Sequence, residues 1–165
     1  MAGMAQVNVT REIHAPPQRV WEMVADVTRM GEWSPENAGA TWMPGAKGPQ
    51  PGARFLGKNH KGWRRWWTVG TIVDSEPGRL LTFRVTAPVF KVAEWSYEFE
   101  PTPTGCRVSE GWTDQRSRLF RPVSDLVVGT RNRGEHNRAA MEETLDRLKA
   151  AAESSSVSTG PDTPT

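Results

Sequence analysis

One run limits the fold more than any other: RGEHNRAAMEETLDRLKAAAE, from Arg133 to Glu153. Nearly every residue in it is a strong helix former, and no proline interrupts it. Asn137, Met141, Leu145, Leu148 and Ala152 recur at steps of three and four, so they share one face. The opposite face is charged, with Arg138 and Glu142, and Glu143 and Arg147, at i, i+4 spacing. A helix with a single apolar stripe must lay it against something, and the chain upstream consists of strand-like runs. The expected skeleton is one long helix lying across a sheet.

Alternation reveals the strands. Residues 5–14 place Val7, Val9 and Ile13 on one face and Gln6, Asn8, Thr10 and Glu12 on the other, with Arg11 stranded among the apolar set. Ala15-Pro16-Pro17 breaks that strand and opens a short helix carrying Val20, Trp21 and Val24, which ends near Asp26. A second helical stretch, 27–30, stops at Gly31. Residues 38–43 read as a short strand and 44–52, rich in Gly and Pro, as loop. Further strands are expected at 53–60, 65–74, 80–85, 92–100 and 106–113, joined by turns short enough for antiparallel hairpins. The clearest is 92–100, where Ala93, Trp95, Tyr97 and Phe99 face one way and Glu94, Ser96, Glu98 and Glu100 the other. In 66–69 both parities carry apolar residues, which leaves the inward face there open. Residues 115–125 read as basic, irregular chain. A single domain over 1–152 is expected, followed by a disordered Ser/Thr/Pro tail at 153–165.

Composition removes several classes. The net charge is only +2, from 21 basic and 19 acidic residues, which is no polycation for nucleic acid. One cysteine, Cys106, allows no internal disulfide and points to a reducing cytoplasm. The first residues lack the apolar stretch of a secretory signal, and no run approaches the ~20 apolar residues of a membrane span. No His, Cys or carboxylate spacing marks a metal, and no Ser/His/Asp or Cys/His order marks a nucleophile, so neither metal nor cofactor is expected. Eight tryptophans against one tyrosine point to a deep, partly wet aromatic interior.

The order of elements, strand, two short helices, six strands and a long helix, carries local motifs with it. These are Ile13-His14-Ala15-Pro16, Val20-Trp21 with Asp26, Glu76-Pro77-Gly78-Arg79 before a strand, Gly105 opening the last strand, and Met141, Thr144-Leu145 and Leu148 in the helix. Together they resemble the helix-grip superfamily of START domains, polyketide cyclases/dehydrases and birch-pollen allergen-like proteins, over about residues 5–152. The resemblance implies an α+β fold in which a curved seven-stranded antiparallel sheet wraps the long helix and encloses a pocket for an apolar small molecule. A lipid, polyketide-like or terpenoid ligand is implied by the resemblance alone. The superfamily contains carriers, enzymes and co-chaperone-like interaction modules, so the fold does not choose among them.

On the last strand Glu110 shares a face with Cys106, Val108 and Trp112, and so points inward. The resembled fold pairs the first and last strands antiparallel. Setting Ile13 opposite Val108 then sets Arg11 opposite Glu110, as a buried ion pair that closes the pocket floor. The alternative is that Glu110 is an acid/base group of a cyclase-like enzyme, with His136 as a second. The expected pocket set is Val9, Trp33, Phe55, Trp67, Phe83, Trp95, Tyr97, Phe99, Val108, Glu110, Asn137 and Met141. Trp33, beside Glu36 after the short helices, is either a gate over the pocket or a plug at the domain end. The run Lys58–Trp67 interleaves bases and aromatics. It reads as a hairpin with inward tryptophans and a cationic rim, and also suits a transient membrane-surface contact. No feature addresses oligomeric state.

Overall fold

The alternating runs become β1 (Val7–Ile13), β2 (Asn37–Trp42), β3 (Arg54–Lys61), β4 (Arg64–Glu76), β5 (Leu80–Ala87), β6 (Phe90–Thr102) and β7 (Gly105–Asp114) in a computed structural model. The structure describes residues 6–88, 90–130 and 132–154. The strands form one antiparallel sheet in the order β1-β7-β6-β5-β4-β3-β2. Five hairpins link β2 to β7 in sequence, while β1 and β2 lie at opposite edges. The chain between those edges forms α1 (Pro17–Ala25), a 3₁₀ turn (Val27–Arg29) and a short α2 (Met30–Trp33). Asp26 starts the turn by accepting from the Thr28 backbone N–H at 3.1 Å. Trp21 ties α1 to the sheet by donating from Nε1 to the Leu80 carbonyl at 3.0 Å. The long helix, α4 (Arg133–Ser154), buries Asn137, Met141, Leu145, Leu148 and Ala152, the stripe expected from its spacing, and Thr144 beside them.

The curved sheet wraps α4, so the core lies between sheet and helix. Ile13, Val20, Leu81, Cys106, Val108, Leu145, Leu148 and Ala152 have no exposed surface. Gly70 on β4 lets the Phe55 ring lie against the strand: a Cβ there would meet the ring at 2.1 Å.

Several expectations need correction. Arg11 does not oppose Glu110. The β1–β7 register sets Arg11 opposite Val108, Ile13 opposite Cys106 and Val9 opposite Glu110. Arg11 escapes the apolar face by reach: its half-exposed guanidinium runs to Asp146 on α4, with Nε donating at 2.8 Å. Trp67 is not in the pocket. It is 70% exposed, while Trp66 turns inward. Trp66, Thr68, Gly70 and Ile72 share the inward parity of β4, unbroken up to the bulge at 72–74. Because both parities of 66–69 carry apolar residues, the run itself does not show which tryptophan is the inward one. Residues 115–125 are not irregular throughout: α3 (Arg121–Val128) forms there, with Pro122 in its first turn and Gly129 left-handed (φ 74°) after its last. The long helix continues to Ser154, two residues into the expected tail. The rest of that tail lies outside the described residues.

Candidate functional site

Beneath the first half of α4 the sheet and helix do not meet. The gap is a cavity of about 130 Å³. Phe55, Phe83, Trp66, Trp95 and Trp112 supply its aromatic walls from five strands or strand ends, and Met141 its helix side. The aromatic rings pack edge-on or stacked: Phe55 to Phe83 at 5.5 Å and Phe83 to Tyr97 at 6.5 Å between centroids. An apolar cavity of ~150 Å³ accepts a benzene-sized guest. The enclosed part here therefore has room for about one ring, and a larger ligand must reach into the mouth.

Glu110 is the polar group at the centre of this surface. It is 2% exposed and lines the cavity. Tyr97, its cross-strand neighbour on β6, donates from its hydroxyl to Glu110 Oε1 at 2.7 Å. Glu110 Oε2 is buried with no hydrogen-bond partner among the described residues. Burial pushes the carboxyl up to about 8, against a smaller downward pull from the Tyr97 hydrogen bond. At neutral pH the group is mostly the neutral acid. Burial, and then the nearby Glu110, also raise the Tyr97 phenol well above its ordinary value.

The mouth is polar. Glu36 from the turn before β2, Asn37 from its start, Asn59 from β3, and Arg116, Arg133 and Asn137 border it. His136 Nε2 is hydrogen-bonded to Glu36 Oε1, so that histidine is tied to the rim. Arg116 is buried and bonds Asp114 through Nε at 2.9 Å and Asp125 through Nη1 at 2.6 Å. Burial alone would raise Asp114, but hydrogen bonds from the Arg116 side chain and backbone hold it below the usual carboxylate range. Arg133 differs from these: its Nη1 is buried with no hydrogen-bond partner among the described residues.

Of the expected pocket residues, Phe55, Phe83, Trp95, Tyr97, Glu110, Asn137 and Met141 border the cavity. Val9, Phe99 and Val108 are buried beside it in the core rather than on its wall. Trp33 is also buried in the core, with the Arg29 guanidinium 5.0 Å from its ring centroid, and does not border the cavity. Trp112, Arg116 and Arg133 escaped sequence reasoning as pocket residues. Trp112 shares the parity of Glu110, and Arg133 lies one turn before Asn137 on the α4 stripe, so both were findable; Arg116 reaches the site from the connection before α3, whose path alternation does not describe. Among the described residues no three His, Cys, Asp or Glu side chains converge as a metal set. None of the helices described is long and apolar enough to cross a membrane.

Comparison with solved structures places the fold. A Nitrosomonas europaea protein superposes with a TM-score of 0.66 at 14% identity, covering 95% of this chain and 99% of that one. The di-domain ARO/CYC StfQ from the steffimycin biosynthetic pathway gives 0.71 at 16% identity, over 92% of this chain and 52% of its own. At such identities the likeness is one of fold. A Polyketide_cyc-like protein of Corynebacterium glutamicum is 26% identical, with a TM-score of 0.60 over 99% of this chain and 100% of its own. No curated protein matches the chain in sequence. The model of one family, described as polyketide cyclase / dehydrase and lipid transport, matches residues 4–153. With the sheet, the long helix and the cavity between them, the chain belongs to the polyketide cyclase/dehydrase and lipid transport family.

Proposed function

We propose that the protein binds an apolar, ring-containing small molecule between the sheet and α4, and that Glu110, as the neutral acid, hydrogen-bonds a carbonyl oxygen of that ligand. The observation carrying this reading is the free Glu110 Oε2 on an otherwise aromatic wall. Tyr97 occupies Oε1 as a donor, so the carboxyl proton belongs on Oε2, facing the cavity. A buried donor with no partner costs about 1–3 kcal/mol, and a ligand acceptor recovers it. Displacement of the neutral fluorophore N-phenyl-1-naphthylamine tests this. 2-Acetonaphthone should displace it roughly tenfold more strongly than 2-ethylnaphthalene, which has no acceptor. That preference should fade above about pH 8, where Glu110 ionises. No displacement by either compound would overturn the pocket reading. A preference that persists at high pH and in Glu110→Leu would overturn the role of Glu110.

The same free oxygen favours a second reading, in which bound ligand turns over. As an intramolecular aldol bond forms in a pocket that folds the chain onto itself, the acid protonates the oxygen of the attacked carbonyl. Its carboxylate takes the proton that the attacking carbon loses. In the dehydration the acid protonates the departing hydroxyl, which leaves as water, and its carboxylate takes the second proton from that carbon. The family's cyclase/dehydrase membership supports it. Glu110→Gln should then keep ligand affinity and lose turnover of a poly-carbonyl substrate by roughly 10²–10⁴-fold. Equal turnover would leave plain binding.

An exposed apolar surface around α3 and the β3–β4 turn supports a membrane-surface contact. Trp63 is 82% exposed, Leu119 91% and Leu126 77%, with Trp67, Phe90, Val123 and Val127 also outward. Lys61 joins the β3–β4 turn to the end of α3 through the Gly129 carbonyl at 3.3 Å. Phe90 stacks on Phe120 at 4.6 Å, joining the β5–β6 turn to its start. Arg64, Arg65, Lys91, Arg118 and Arg121 stand among these residues, and the one acid of α3, Asp125, is already bonded to Arg116. Apolar side chains interleaved with cations match the interface of a bilayer with anionic lipid. The protein should float with phosphatidylcholine vesicles containing phosphatidylglycerol, and Trp63→Ser/Leu126→Ser should float less. Absence of flotation with the anionic vesicles would overturn this contact.

A further inference from the structure

We infer that the ligand carries a single negative charge, a carboxylate, and that Arg133 is the group that recognises it; this rests on the pocket reading above. Arg133 opens α4, borders the cavity, and presents a buried Nη1 with no hydrogen-bond partner among the described residues. The acids around it are engaged elsewhere: Glu36 with His136, and Asp114 and Asp125 with Arg116. Arg133 therefore has anionic neighbours but, among the described residues, no ion pair of its own. Burial, with Arg116 close by, lowers the guanidinium from its ordinary value, the mark of a charge that its surroundings do not satisfy.

A guanidinium does not relieve this by losing its proton in a protein. It is relieved by an anion, and its planar fork fits a carboxylate through two parallel N–H···O bonds. The neighbouring carboxylates select for charge. A phosphate dianion would face Glu36, Asp114 and Asp125 at once, whereas a monoanion replaces only the partner that Arg133 lacks. The cavity then has a division of labour: aromatic walls for the body of the ligand, and Arg133 at the mouth for its head.

The test compares 2-naphthoate with 2-acetonaphthone, which have the same shape but differ in charge, by displacement of N-phenyl-1-naphthylamine at pH 7. The naphthoate should bind roughly tenfold more tightly, as hydrogen bonds to a charged group require. In Arg133→Gln that ratio should fall to near one. Should that variant not fold, the Arg133 Nε–Hε resonance of the ¹⁵N-labelled wild-type protein should shift with naphthoate and stay in place with acetonaphthone. A ratio near one in the wild type, a ratio unchanged in Arg133→Gln, or a resonance indifferent to naphthoate would each overturn the role of Arg133 while leaving the pocket standing. If neither compound displaces the fluorophore, the pocket reading itself fails.

Discussion

Between Leu145 and Ala152, α4 presses Leu145, Leu148 and Ala152 into a core shared with Ile13, Val20 and Cys106, all without exposed surface. Between Arg133 and Met141 the same helix faces a cavity, and the buried polar atoms with no partner that border it, Arg133 Nη1 and Glu110 Oε2, lie on its wall. The two halves show how one helix serves two demands. The sealed half gives up no polar group and gains the burial that holds the domain together. The open half forgoes that burial, and the energy of its unfilled contacts is available to a ligand. Such a site is costly to keep empty and is supported by the packing next to it.

The contrast is broken most severely in the sealed half. Leu148→Asp should cost more than about 4 kcal/mol, because it places an unpaired charge in the fully buried apolar core. Urea melts would read this as a domain that fails to fold cooperatively. A soluble variant with an ordinary melt would show that this half is not sealed.

Glu110 should produce the next largest effect, and one with the opposite sign. The folded protein holds the Glu110 proton up to about pH 8, while the unfolded chain releases it near the ordinary 4.5. Below the lower value both states are protonated and the group has no net effect. As pH rises through that window the unfolded state gains by ionising, so stability falls, and above about 8 the loss is complete. Glu110→Gln cannot ionise. Its stability relative to wild type should therefore rise by roughly 3–5 kcal/mol from pH 4.5 to above 8. Parallel pH profiles for the two proteins would refute a buried neutral acid.

A pair of equal substitutions sharpens the comparison at lower energy. Ala152→Leu, in the sealed half, should cost about 1–3 kcal/mol by overpacking. Ala140→Leu, which borders the cavity, should change stability by less than about 1 kcal/mol yet weaken N-phenyl-1-naphthylamine binding by occupying its space. Equal stability losses would mean the cavity closes in solution. The smallest effect concerns Arg11, whose exposed pair with Asp146 is worth under about 1 kcal/mol. A double-mutant cycle between Arg11 and Glu110 should give coupling near zero, since they share no contact; substantial coupling would restore them as partners.

That last pair shows where reading from sequence stops. The stripe of α4 and the alternation of residues 92–100 and 106–113 are periodic over enough turns and pleats to place Leu148, Tyr97 and Glu110 inward without any knowledge of the fold. Register is different. Slipping β1 against β7 by two residues keeps every side chain on its face, so alternation cannot distinguish Arg11 opposite Glu110 from Arg11 opposite Val108. The face of Trp67 was lost for a related reason: both parities of 66–69 are apolar, and which one faces the core is set by how β4 pairs with β3 and β5. α3 does carry Val123, Leu126 and Val127 at i, i+3 and i+4 between Pro122 and Gly129, but over only eight residues such a signal is short, and the fold turns that stripe outward. Arg133, one turn before Asn137, extends the α4 stripe, whereas Arg116 comes to the cavity from the connection before α3, a through-space meeting that has no period along the chain. Local periodicity follows from backbone geometry and is written in neighbouring residues; register, bulges and the company a charge keeps are set by packing between segments far apart in the chain, and appear when those segments meet.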